Sequence, residues 1–81
     1  MQGTLAIQAI TRNGIAVARV IVRGNVGDEN RAKLDNLGMT PVIDISNCRE
    51  KIVTNNEDVI TLRNALIEQG IVPDNRKTKE I

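Results

Sequence analysis

The chain has 81 residues, with 11 Lys and Arg against 10 Asp and Glu, one cysteine, no histidine and no aromatic residue. A chain this short buries only about 60 to 65% of its unfolded surface, so we expect one domain with a thin stability margin. The absence of histidine excludes the commonest hydrolase arrangements, and the net charge of +1 does not indicate a polyanionic partner. The lone cysteine is typical of a reducing compartment, and we expect a cytoplasmic protein with no signal peptide and no membrane span.

Residues 4 to 23 predict a long antiparallel β-hairpin. Two runs of β-forming residues flank Asn13-Gly14, a pair typical of a type I′ turn because both central residues of that turn have positive φ. A two-residue turn determines which side chains share a face. One face is aliphatic, and we expect it to be the core face, where Ala9 and Ala18 admit a close helix backbone. It contains the pairs Leu5 with Val22, Ile7 with Val20, Ala9 with Ala18 and Thr11 with Ala16.

The opposite face of the hairpin carries all three of its arginines among aliphatic side chains. Arginine beside apolar residues is typical of protein interfaces, so this face is a candidate partner surface. The alternative is that the first helix covers it as an internal second layer and leaves the arginines at the rim. The candidate partner contacts on this face are Ile10, Ile15, Val17 and Ile21.

Nucleic-acid binding is a second interpretation of the same face. Residues 1 to 23 carry a local charge of +3 with no acid, and a two-stranded ribbon fits the DNA major groove. Three charges are a small footprint, and the aromatic platforms of single-strand binders are missing. The candidate nucleic-acid contacts are Gln8, Arg12, Arg19 and Arg23.

The middle of the chain predicts a turn, a helix and a third strand. Residues 24 to 27 (Gly-Asn-Val-Gly) favour a turn. The alternative is a phosphate-binding loop, but the segment lacks the further glycine and the lysine of such loops, and two acidic residues follow it. A short helix over 28 to 37 ends at Gly38 in a left-handed cap. Residues 41 to 45 predict the third strand, with its proline at the first position, and residues 46 to 51 a polar connection.

The strongest helix signal covers residues 55 to 69. Thr54 and Glu57 fit a capping box at its start, and Gly70 favours a cap at its end. Its apolar residues form two seams, one of Val59, Leu62 and Leu66 and the other of Ile60 and Ile67, with Arg63 between them. We expect the first seam to cover the hairpin and the second, with Arg63, to meet a partner. The alternative is that Arg63 lays its methylenes along the core edge.

These patterns predict a small α+β domain of order β-β-α-β-α over residues 1 to 73, in which the C-terminal helix covers an antiparallel hairpin and a third strand. Residues 74 to 81 predict a disordered polar tail.

Cys48 lies beside basic residues that favour a thiolate, but a lone thiol in a loop is more often structural. We therefore expect no enzyme, no metal and no cofactor. The favoured function is a non-catalytic interaction or structural subunit that binds itself as a homo-oligomer, or a larger protein; the alternative is a small DNA-binding regulator.

Overall fold

The computed structural model describes residues 3–73, which form one mixed five-stranded sheet and two helices. The elements in chain order are β1 (Thr4–Arg12), β2 (Ile15–Arg23), α1 (Gly27–Asn36), β3 (Thr40–Pro41), β4 (Cys48–Val53), α2 (Asn56–Glu68) and β5 (Val72–Pro73). The sheet order is β3-β4-β2-β1-β5, and only the short β1–β5 pairing among these is parallel. The predicted α+β class is confirmed. The tail predicted over 74 to 81 lies outside the described residues.

The hairpin has the predicted turn and register. Asn13 and Gly14 have φ of 55° and 79°, as a type I′ turn requires. Arg12 pairs with Ile15, and the pairing continues without a bulge to Thr4 and Arg23. The hairpin prediction is therefore confirmed residue by residue.

The third long strand lies later in the chain than predicted. The segment predicted as a strand, residues 41 to 45, contributes only Pro41 to a strand, and Ile43 and Ile45 are 92% and 52% exposed. Instead β4 pairs antiparallel with β2 over its full length, from Cys48 opposite Arg23 to Val53 opposite Ala18. The strand prediction for residues 41 to 45 was wrong because this segment forms a loop in which Ile43 and Ile45 are exposed to solvent.

The charged residues of β4 explain how so polar a segment forms an inner strand. Arg49 and Lys51 lie opposite Val22 and Val20, so their side chains point to the helix side of the sheet. The Lys51 ammonium donates to the carbonyl of Leu37 at 3.1 Å, and Arg49 pairs with Asp35. Both side chains thus contact the C-terminal end of α1, where cations and donors are favourable.

Both helices end in the same way. After α1, Gly38 has φ of 86° and Met39 N–H donates to the Leu34 carbonyl; after α2, Gly70 has φ of 93° and Ile71 N–H donates to the Leu66 carbonyl. This is the Schellman pattern, in which the residue after the glycine packs on the last helical turn. Both predicted glycine caps are confirmed.

The start of α2 differs by one residue from the prediction. Asn55, not Thr54, is the N-cap, and its side-chain oxygen accepts from the backbone N–H of Asp58 at 2.8 Å. The side-chain amide of Asn55 also donates to the Asp58 carboxylate. Residues 55 and 58 therefore close the first turn of α2 with two hydrogen bonds.

Both helices pack on the same side of the sheet. Leu34 of α1 and Leu62 and Leu66 of α2 share one core with the strand residues of the predicted core face. The buried members of this core are Leu5, Val20, Val22, Leu34, Met39, Val53, Leu62, Leu66 and Ile71. The helices cover only the base of the hairpin: of the two alanines predicted to admit a helix backbone, Ala9 is exposed and Ala18 is half-buried, so no helix covers Ala9 within the described residues.

Substitution of Gly14 tests the turn. A Cβ at Gly14 would meet no described heavy atom within 4 Å, so the cost of Gly14→Ala comes from positive φ alone. We expect a loss of about 1 kcal/mol in the free energy of unfolding, measured by urea denaturation. Gly14→Asn should lose less, because asparagine tolerates the left-handed region; equal losses would contradict this account.

Substitution of Gly3 tests close packing instead. A Cβ there would lie 2.8 Å from the carbonyl oxygen of Arg23 and 2.9 Å from Val26. Because a backbone atom cannot move away as a side chain can, Gly3→Ala should lower the free energy of unfolding by more than Gly14→Ala, roughly 2 kcal/mol. The same urea series compares the two variants.

Candidate protein interaction surface

The side of the sheet away from both helices forms a surface that we call the open face. Side chains alternate across a strand, so the observed register places every second residue of β1, β2 and β4 there. The open face contains Thr4, Ala6, Gln8, Ile10, Arg12, Ile15, Val17, Arg19, Ile21, Arg23, Cys48, Glu50 and Ile52. The first helix does not cover the arginine face, as the alternative interpretation supposed, because α1 packs on the other side of the sheet.

The apolar residues of the open face differ in exposure along the hairpin. Ile15, beside the turn, is 61% exposed, whereas Ile21, near the base, is 1% exposed. Ile10 and Val17 between them are half-buried. Of the four partner contacts predicted here, three therefore present surface, and Ile21 presents almost none in this conformation.

Glu50 changes the charge of the open face. It lies on β4 opposite Ile21, and its carboxylate accepts from Nε of Arg19 at 2.5 Å. Arg19 Nη1 also lies 3.5 Å from the side-chain oxygen of Gln8. The local +3 of the hairpin is thus reduced by an acid from a strand distant in sequence, while Arg12 and Arg23 are exposed at opposite ends.

The distal half of the hairpin extends beyond the other strands. Pairing of β2 with β4 begins at Ala18, and that of β1 with β5 involves Thr4 and Leu5. Residues 9–17, which we call the arm, therefore form a two-stranded ribbon in a molecule 36 Å long and 23 Å thick. Both faces of the arm carry exposed side chains.

The outer seam of α2 is a separate patch. Ile60 and Ile67 are 57% and 37% exposed, and Arg63 between them is exposed as well. This seam faces away from the sheet, since Leu62 and Leu66 face the core. The structure therefore does not bring the two predicted contact surfaces together: one lies outside the helix layer and the other on the open face.

A groove of about 500 Å³ lies between the loop of residues 42–47 and the turn before α1. The turn is closed by Asn25, whose side-chain oxygen accepts from Gly27 N–H at 3.2 Å. Asp28 in the first turn of α1 pairs with Arg31 at 3.0 Å. Cys48 borders the groove and is 6% exposed, so its thiol is poorly placed to attack a substrate.

Sequence reasoning missed the three residues that β4 contributes to the open face, Cys48, Glu50 and Ile52. The signal was present, because residues 48 to 53 (Cys-Arg-Glu-Lys-Ile-Val) alternate sides once they are assigned to a strand. Within residues 3–73 no group of three or more acidic or cysteine side chains is placed to hold a metal ion. Neither α1 nor α2 is long and apolar enough to cross a membrane.

Comparisons with protein-family models, curated proteins and solved structures find no match for this chain.

A double-mutant cycle tests the Arg19–Glu50 pair. Both side chains are about 30% exposed, and we expect a coupling of about 0.5 kcal/mol between Arg19→Met and Glu50→Gln in urea unfolding. The exposed Arg31–Asp28 pair is the control, and its coupling should be smaller. Equal couplings would show that the sheet position adds nothing to the ion pair.

Proposed function

We propose that the protein is a non-catalytic interaction subunit that associates with a second copy of itself. The observation that carries the proposal is the cluster of Ile10, Ile15 and Val17 on a sheet face that neither helix covers. Arg12 borders this cluster, and apolar residues beside arginine are typical of interface cores. A partner surface would remove from water the aliphatic side chains that the protein's own helices leave exposed.

Size and composition support the same proposal. A domain of this length with no aromatic residue gains little from its own core, and burial between copies adds apolar area at about 25 cal/mol per Å². The outer seam of α2, with Ile60, Arg63 and Ile67, is a second contact in the proposal. Because each patch is small, we expect an affinity in the micromolar range rather than the nanomolar range.

The non-catalytic part of the proposal rests on the chemistry of the chain. Without histidine there is no imidazole acid or base, and Cys48 is buried. A larger protein is the alternative partner for the same patches. We extend the proposal to a cytoplasmic setting, which rests on the single free thiol.

Size measurement of two isoleucine variants tests self-association. The wild type should exceed its monomer mass of 8.9 kDa in light scattering at about 100 µM, a concentration well above a micromolar dissociation constant. Ile10→Lys should shift the protein toward the monomer, because the charge would be buried between copies. Refractive index must report concentration, since the chain has no Trp or Tyr.

Ile43→Lys is the matched control, because Ile43 is 92% exposed but lies in the loop before β4. It should leave the mass unchanged. A wild type that is monomeric at every concentration would contradict self-association, and equal effects of the two variants would contradict the assignment of the surface.

A second candidate function is DNA binding through the arm. The observation that favours it is the projecting two-stranded ribbon with Arg12 exposed beside its turn, since such a ribbon fits the major groove. The pairing of Arg19 with Glu50 weakens it by removing a charge available to phosphates. We therefore rank this function below self-association.

Salt dependence tests DNA binding. If Arg12 neutralises a phosphate, Arg12→Ala should reduce the slope of log K against log salt by about 1, measured by fluorescence anisotropy with labelled duplex DNA. Arg31→Ala, on the other side of the sheet, should leave the slope unchanged. The absence of binding to duplex DNA at 20 mM salt, about the lowest practical ionic strength, would remove this candidate.

A further inference from the structure

The outer edge of β1 presents backbone groups in a regular row. A two-residue turn makes Arg12 and Ile15 a hydrogen-bonded pair, and bonded pairs alternate along an antiparallel ladder. Ile7, Ala9 and Thr11 therefore direct their N–H and C=O groups away from β2. The observed bond from Val72 N–H to the carbonyl of Gly3 at 3.1 Å lies on this same outer side, which agrees with the alternation.

Pairing along this edge stops early in the part of the chain that the structure describes. There β5 reaches Thr4 and Leu5, and the three outward residues beyond Leu5 have no strand beside them. The other edge of the arm differs, because Ala16 is its one outward residue before β4 begins to pair at Ala18. Within residues 3–73, the longer row of backbone groups without a neighbouring strand thus belongs to β1.

The composition of β1 suits pairing with another strand. From Thr4 to Thr11 it has no charge, no proline and no glycine, although charges and prolines are what natural edge strands use to prevent pairing. The short strands at the two ends of the sheet, by contrast, contain Pro41 and Pro73. Among the strand edges of residues 3–73, only the arm edge has the features of a strand that accepts a neighbour.

We propose that β1 of a second copy pairs antiparallel with this edge, about a two-fold axis near Ala9 and Ile10. The inference rests on the proposed self-association and specifies its geometry. A register centred on Ala9 forms about six backbone hydrogen bonds between the copies. A register centred on Ile10 forms about four, and it places the two Ile10 side chains opposite each other. In both registers Arg12 lies opposite an uncharged residue, Ala6 or Gln8, so no like charges meet.

This pairing brings the Ile10 side chains of the two copies to the new seam, whereas Ile15 and Val17 lie on β2, one strand away from it. It joins the open faces of two copies into one surface, in which the two Ile10 side chains lie directly opposite or diagonal to each other, depending on the register. The outer strands of the joined sheet are then short and contain proline, so a third copy has no equivalent edge to pair with. The result is a closed pair rather than a fibre.

Opposite charges at residue 9 test the axis. Ala9 is exposed on the side away from the open face, so Ala9→Lys and Ala9→Glu should fold as the wild type does by circular dichroism. The axis brings residue 9 of both copies together. Each variant alone should therefore raise the dimer dissociation constant about tenfold or more, and an equimolar mixture should recover a heterodimer, detected by native mass spectrometry.

Ala16→Lys and Ala16→Glu are the matched controls, because Ala16 is an exposed alanine on the same side of the same hairpin. Both should dimerise as the wild type does, alone and mixed. If the Ala9 variants also dimerise unchanged while Ile10→Lys still disrupts the dimer, edge pairing is wrong and self-association stands. A monomeric wild type removes both proposals.

Hydrogen exchange distinguishes pairing of the β1 edge with a second copy from pairing of that edge with another segment of the same chain. The amides of Ala9 and Thr11, together with that of Ile7 in the register centred on Ala9, should be protected in concentrated wild-type protein and should lose protection on dilution below the dissociation constant. Protection that does not depend on concentration would overturn the proposal, because a segment of the same molecule would then hold the edge.

Discussion

The positive φ angles at Asn13 and Gly14 determine on which side of the sheet each hairpin side chain lies. A slip of one residue in the pairing would turn β2 over relative to β1, moving Arg19 and Arg23 toward the helices and Val20 and Val22 into water. The rest of the molecule depends on this register, because the leucines of both helices pack on the aliphatic face that it creates. The open face, with its arginines and exposed isoleucines, is the other product of the same turn.

Local signals were enough to predict much of this fold. The hairpin and both helix ends follow from residues adjacent in sequence, at Asn13-Gly14, Gly38 and Gly70, where backbone conformation is decided within a few residues. The third strand was mispredicted because its identity depends on distant contacts. Residues 41 to 45 have the more aliphatic sequence, but residues 48 to 53 are the ones that pair with β2.

The candidate surface was predictable in position but not in detail. Hairpin register alone located Ile10, Ile15 and Val17 on one face, and the structure agrees. The burial of Ile21 and the pairing of Arg19 with Glu50 could not be predicted, since both depend on β4 lying beside β2. Lys51 and Arg49 illustrate the same limit. Their charges predicted a polar connection, because their hydrogen-bond acceptors, the carbonyl groups of Leu37 and Met39 just after α1, are distant in sequence.

The order in which contacts can form follows from the separation of the paired strands along the chain. β1 and β2 are joined by two residues, whereas β2 pairs with β4 across about one third of the chain and β1 pairs with β5 across nearly all of it. Short loops close at the least entropic cost, so the hairpin is able to form before the helices that cover its base. During synthesis the arm would then be complete while Leu62 and Leu66 have yet to be made. The earliest structured part of the nascent chain would therefore be the part that exposes Ile10, Ile15 and Val17.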